Sequence, residues 1–164
     1  MIPHWIQTDG GVRLAIVARP LGDARVVREI AELRGHGVDI LVSMLSPREV
    51  TGLRLTQEGA ACEAVGMAFR SFPIPDHGLP ESDAEFRALV ESLRAELHAG
   101  KSVAAHCFAS IGRSSLLLAA ILCAEGWPAA KAFARISDAR GTEVPDTPEQ
   151  VRWVEQFAVS FARG

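Results

Sequence analysis

Apolar and polar positions along the chain fall into two kinds of block. Short apolar runs at Leu14 to Ala18, Val38 to Val42, Met67 to Phe72 and Ser102 to Ala105 read as strands, several of them β-branched and buried. The stretches between them repeat apolar residues at helical spacing. Gly22 to Gly35 carries Val26, Val27, Ile30, Ala31 and Leu33 and ends in glycine. Pro47 to Val50 opens a short helix, with proline in its first turn, and Gln57 to Val65 forms another. Ser82 caps a helix running to about His98, with Glu85 three residues on to complete a capping box and Gly100 to close it. A nearly all-apolar helix is expected from Arg113 to Ala124, ended by Gly126. Two more follow, near Pro128 to Ala139 and Pro148 to Ala162.

Strands alternating with helices imply an α/β layer architecture with a mostly parallel central sheet of four to five strands. The helix from Arg113 should be central and buried, because it is apolar on every side. No linker, repeat or low-complexity segment interrupts the pattern, so residues 1–164 read as one domain. Composition is that of an ordinary globular chain, 48% hydrophobic and 23% charged.

Charge and cysteine content narrow the classes. A net charge of -3 argues against a broad nucleic-acid or membrane-binding surface, though a small pocket can still be locally positive. The three cysteines, Cys62, Cys107 and Cys123, form no disulfide framework, which points to a reducing, cytoplasmic setting. No signal peptide is expected, since Met1-Ile2-Pro3-His4-Trp5 lacks a basic region followed by an apolar core. The longest apolar run, Leu116 to Ala124, is far short of the ~20 residues a membrane helix needs.

The chemistry concentrates in Val103-Ala104-Ala105-His106-Cys107-Phe108-Ala109-Ser110-Ile111-Gly112-Arg113-Ser114. A strand runs into a loop of small residues and then into a helix start, the place where α/β folds bind ligands. Loop N–H groups and the helix N-terminus make an anion cradle, and Arg113 adds a planar fork for two phosphate oxygens. The same positive environment favours the thiolate of Cys107, a nucleophile at the floor of an anion site. Cys62 and Cys123, in apolar helical settings, read as core.

This stretch resembles the signature of the protein tyrosine and dual-specificity phosphatases: His-Cys, five residues, Arg, then Ser or Thr. The matching residues are His106, Cys107, Arg113 and Ser114, with Gly112 before the arginine. The resemblance implies that Cys107 is the nucleophile and that Arg113 and the loop from His106 through Phe108, Ala109, Ser110, Ile111 and Gly112 bind phosphate. It further implies that His106 orders the loop and that Ser114 supports the sulfur as it leaves. Ser110 departs from the family's usual glycine. If the backbone there needs a positive φ, serine costs about 1 kcal/mol or more.

A phosphate ester with a poor leaving group also needs a proton donor. Asp76 stands in Phe72-Pro73-Ile74-Pro75-Asp76-His77-Gly78-Leu79-Pro80, after a strand of the same parallel sheet. It lies 31 positions before Cys107, and the resembling family carries its acid about thirty residues before the nucleophile. The alternative is that Asp76 merely shapes a turn. Further on, Gln150 fits the second position of a water-positioning loop in the tyrosine-specific members, but Asp146 stands where they have glutamine. The preferred reading here is a cap on the last helix, with Asp146 or Thr147 capping, Pro148 in the first turn and Gln150 as capping-box partner.

The expectation is therefore a phosphomonoester hydrolase working through phosphocysteine, without cofactor or metal. His4, His36, His77 and His98 show no metal-ligand spacing. Its partner would be a phosphorylated protein or a small phosphomonoester, with oligomeric state left open. A phosphate-recognition module of weak turnover is one rival. A sulfurtransferase or arsenate reductase is another, though neither requires Asp76.

Overall fold

The computed structural model describes residues 1–164. Five strands form one sheet: β1 (His4–Trp5), β2 (Arg13–Ile16), β3 (Ile40–Ser43), β4 (Ala68–Ser71) and β5 (Ser102–His106). Their spatial order is β1-β2-β5-β3-β4. The last four are mutually parallel, and β1 joins β2 antiparallel. The sheet is thus mixed but mostly parallel, as the strand–helix alternation implied. β1 had no counterpart in the sequence reading, because two residues are too few to show an alternating pattern.

Seven helices cover the sheet: α1 (Arg25–Gly35), α2 (Pro47–Gly52), α3 (Glu58–Ala64), α4 (Asp83–His98), α5 (Arg113–Ala124), α6 (Ala129–Arg140) and α7 (Pro148–Arg163). Alternate strand residues feed two cores. Leu14, Ile16, Ile40, Val42, Val103 and Ala105 meet α4 to α7, while Ala15, Leu41 and Ala104 meet α1 and α3. Every residue of β5 is buried, and so is every residue of α5 from Arg113 to Cys123. Burial on both faces of the sheet explains why these strands read as continuous apolar runs.

Local differences from the pattern have local causes. The first helix begins at Arg25 rather than Gly22, because Asp23 takes a left-handed φ of 60 and turns the chain first. Ser82 does accept the Glu85 N–H at 3.2 Å, but the reciprocal half of that expected capping box is not formed. α2, by contrast, carries a full box between Ser46 and Glu49. The starts of β3 and β5 are cross-tied: Ser102 N–H donates to Asp39 Oδ2 at 2.9 Å, and Asp39 N–H to Ser102 Oγ at 3.0 Å. With that register set, all four parallel strands finish on one edge, and the loops after β2, β3, β4 and β5 converge there.

Candidate active site

The loop from Cys107 to Gly112 leaves the central strand β5 and enters the central helix α5, so the core holds both of its ends. Its shape turns on Ser110, which is buried with φ 54. This answers the conditional reading of that residue: the position is left-handed, and serine carries the strain. Its hydroxyl offers partial recompense, lying 3.5 Å from the Cys107 N–H. Arg140, at the end of α6, braces the loop from outside, donating to the carbonyls of Ser110 at 3.0 Å and Ala109 at 3.2 Å. Peptide planarity then turns the N–H groups of Ser110 and Ile111 away from Arg140. None of the five backbone N–H groups from Phe108 to Gly112 donates to another group of the chain. These free donors follow Cys107 directly in the chain, and the first turn of α5 adds the N–H groups that every helix start leaves unpaired.

Cys107 itself is 2% exposed, and its Sγ lies 3.5 Å from the Ser114 hydroxyl. The other two cysteines sit in the cores, as expected. Burial, with Glu58 nearby, pushes the Cys62 thiol up to about 12, and burial pushes Cys123 up to about 11.

Arg113 is almost wholly buried, and four hydrogen bonds fix it. Nη1 donates to Glu49 Oε2 at 2.7 Å and to the Ile74 carbonyl at 3.0 Å. Nη2 donates to Glu49 Oε1 at 2.9 Å and to Asp76 Oδ1 at 3.1 Å. The Nε edge makes no hydrogen bond within the chain. Glu49 is held in turn by the N–H and hydroxyl of Ser46, both at 2.9 Å. The Arg113 fork, against the opposing effect of burial, draws its carboxyl down to about 2. Burial alone would lower the Arg113 pKa, but Glu49, Cys107 and Asp76 outweigh it and raise it.

His106 faces away from the cradle. It is fully buried, and its Nε2 lies 2.7 Å from Glu58 Oε1, itself 2% exposed. This pair ties α3 to the back of the loop, so His106 acts on the loop's position and does not line the substrate side. Phe108 is half exposed beneath Arg19. Ile111 packs on the core and borders a cavity shared with Glu143 to Pro148.

The Asp76 loop lies over this cradle. Gly78 allows its tight turn, where a Cβ would come within 2.7 Å of the Pro75 carbonyl. Gln150 anchors the loop to α7 by donating to the Gly78 carbonyl at 3.2 Å. The cap reading of the last helix holds: Thr147 is the N-cap and Gln150 completes the box. Asp146 is displaced from that duty to the rim. Gly112 has an ordinary φ of -85, yet a Cβ there would overlap Asp146 Oδ2, so glycine serves close approach. The His77 ring spans the gap, 3.6 Å from Asp76 Oδ2 and 3.8 Å from Asp146 Oδ2.

Glu49, Glu58 and Arg140 were not singled out from the sequence. Only Glu49 had a signal, the Ser-Pro-Arg-Glu capping box, and that predicts a helix end rather than an arginine clamp.

Comparison with known proteins bears on the fold and the family. The rat cyclin-dependent kinase inhibitor 3 is 22% identical over 139 residues, covering 84% of this chain. The chain spans 65% of that protein's length. Kinase associated phosphatase with serine substituted for its catalytic-site cysteine superposes with a TM-score of 0.89 at 20% identity, over 100% of this chain and 97% of that one. Tk-PTP in its active form gives 0.77 at 24% identity, over 97% and 99%. These superpositions show the shared fold. Residues 17–127, from the end of β2 through α5, match the family model described as polymorphic toxin system, DSP-PTPase phosphatase, and the chain belongs to that family.

Proposed function

We propose that the protein is a phosphomonoester hydrolase of the protein tyrosine and dual-specificity type, acting through a phosphocysteine on Cys107. The observation that carries this is the run of free donors beside the buried Cys107: the five loop N–H groups that follow it and the Nε edge of Arg113 have no partner within the chain. A phosphate dianion satisfies such a set, and its phosphorus then lies in front of the nucleophile.

The hydrogen bonds of Arg113 support an order of events. Phosphate engages an arginine best through two parallel N–H groups, here Nε–H and one Nη2–H. Asp76 holds that Nη2–H, so substrate must displace it. Once displaced from Nη2, the exposed Asp76 carboxyl is free to turn towards the leaving oxygen and act as its proton donor. Sγ attacks phosphorus as the ester P–O bond breaks, and Asp76 gives its proton to the departing oxygen. Asp76 then takes a proton from water, the water oxygen bonds to phosphorus, and the S–P bond breaks. The Ser114 hydroxyl is placed to donate to the departing sulfur.

The substrate class at this level is a phosphorylated protein or small phosphomonoester. The test is hydrolysis of p-nitrophenyl phosphate and phenyl phosphate, with reductant, by the native chain, Cys107→Ser and Asp76→Asn. Turnover by the native chain, none by Cys107→Ser, and a loss in Asp76→Asn concentrated on the poorer leaving group are expected. Turnover surviving in Cys107→Ser overturns the assignment. Phosphate binding without turnover by the native chain would instead make the protein a recognition module.

A further inference from the structure

The sheet edge carries a second group of cations that the reaction does not use. The connection from β2 to α1 packs against the end of α2, so tightly that a Cβ on Gly22 would overlap the Leu53 carbonyl. Between them lies a hollow of about 280 Å³ lined in part by Arg19, Arg25 and Arg54. Arg54 is paired with Asp23 at 3.0 Å, the one acid in the lining. Glu29, close by but outside the lining, accepts the Leu21 N–H at 2.6 Å. Arg19 and Arg25 form no ion pair, and Arg19 Nε is buried without a partner.

Arg19 also ties this hollow to the Cys107 loop. Its guanidinium carbon stands 4.8 Å over the ring of Phe108, the residue next to the nucleophile. That ring is 46% exposed, a large apolar face left at the mouth of the site. The stacking fixes the direction of the guanidinium while leaving its hydrogen-bonding edge unused. The opposite rim has the other sign. The cavity beside Ile111 is lined by Glu143, Asp146 and Glu155, and its one cation, Arg152, is paired with Glu149 at 2.9 Å. On a chain of net charge -3, Arg19 and Arg25 face no pairing acid while the cavity beside Ile111 carries three, and this difference gives the site a direction.

We propose that the Arg19–Arg25 hollow is a second anion subsite, which takes a carboxylate or phosphate carried by the same molecule whose scissile phosphate occupies the Cys107 loop. The proposal rests on the phosphatase reading and names its substrate class: phosphoesters bearing a neighbouring second anion. The second anion accepts from the Nη groups of Arg19, which make no hydrogen bond within the chain and, unlike Nε, are open to solvent, and it is attracted by Arg25. The scissile group is cleaved as before, and the second is only held.

Two substrate sets distinguish where that anion comes from. One compares phosphotyrosine peptides with alanine, aspartate or phosphoserine flanking the phosphotyrosine. The other compares phenyl phosphate with benzene bisphosphates. In at least one set the native chain should favour the doubly anionic member by about tenfold in kcat/KM, chiefly through KM. The preference should shrink as salt rises to about 1 M. Arg19→Gln with Arg25→Gln should bring the ratio close to one. A native ratio of one in both sets, or a ratio that the double variant leaves unchanged, overturns the subsite. Calorimetric binding of the same compounds to Cys107→Ser, with and without the arginine changes, separates the two claims. Absence of turnover on every compound would defeat the phosphatase reading, while the binding ratio would still decide the subsite.

Discussion

The two loops that meet at the site are built in opposite ways. The Cys107 loop buries Cys107, Ser110 and Gly112 and exposes only its tip at Phe108 and Ala109; it is entered from a fully buried strand and left by a helix buried from Arg113 to Cys123. Glu58 holds it from behind through His106, Arg140 from outside, and Glu49 through Arg113. The Asp76 loop lies on the surface, and the Asp76 side chain is 61% exposed. Its base is tied by the Phe72 and Ile74 N–H groups to the carbonyls of Ser43 and Met44 and by Arg113 to the Ile74 carbonyl. Its tip has only the Gln150 bond to Gly78, the long contacts of His77 and the Arg113 bond to Asp76. The contrast fits the two tasks. An anion cradle must be organised before substrate arrives, because reorganising its dipoles during reaction would cost rate. An acid that first blocks the phosphate site must be able to leave it.

The largest expected effects test the rigid side. Arg113→Lys keeps a charge but loses the planar fork, and kcat/KM for aryl phosphates should fall by about 10²–10³-fold. A loss under tenfold would mean that the fork is not what holds phosphate. On the exposed side, Asp76→Asn should cost about 10² or more with phenyl phosphate and much less with p-nitrophenyl phosphate, whose leaving oxygen needs no proton. Equal losses on both would make Asp76 a structural residue.

Stability sharpens the contrast further. Glu58→Ala leaves His106 buried without its partner and should lower unfolding free energy by about 3 kcal/mol in urea titration. Asp76→Ala, at an exposed position, should change it by less than about 0.5 kcal/mol. Glu49 gives a pH signature. Its folded value of about 2 lies below the ordinary 4.5, so its stabilisation is complete above about pH 4.5 and is lost as pH falls towards 2. Acid unfolding of Glu49→Gln should lack that part of the slope. A small net effect, towards greater stability, is expected from Ser110→Gly. Relief at φ 54 is worth up to about 1 kcal/mol, partly offset by loss of the 3.5 Å hydroxyl contact to Cys107 N–H.

What could be read from sequence followed from contiguity. The strand, loop and helix from Ser102 to Ala124 are consecutive, so the apolar pattern and the Cys-to-Arg spacing report one local structure. Asp76 was reachable because a parallel sheet brings the ends of β4 and β5 to the same edge. The clamps were not reachable. Glu49, Glu58 and Arg140 lie tens of residues from the groups they hold, and a glutamate in a helix start reads as a cap or a solvated charge wherever the chain ends up folding. The Ser110 question could be posed from sequence, but only the backbone angle answers it.

The central claim is that phosphate passes through Cys107. The most direct measurement is single-turnover reaction with an aryl phosphate, acid quench and peptide mass spectrometry, with Asp76→Asn used if the intermediate is too short-lived in the native chain. The account predicts a phosphoryl adduct on the peptide containing Cys107, formed no later than phosphate release and absent in Cys107→Ser. Phosphate release with no adduct on Cys107 in either chain, or an adduct on another residue, would contradict it.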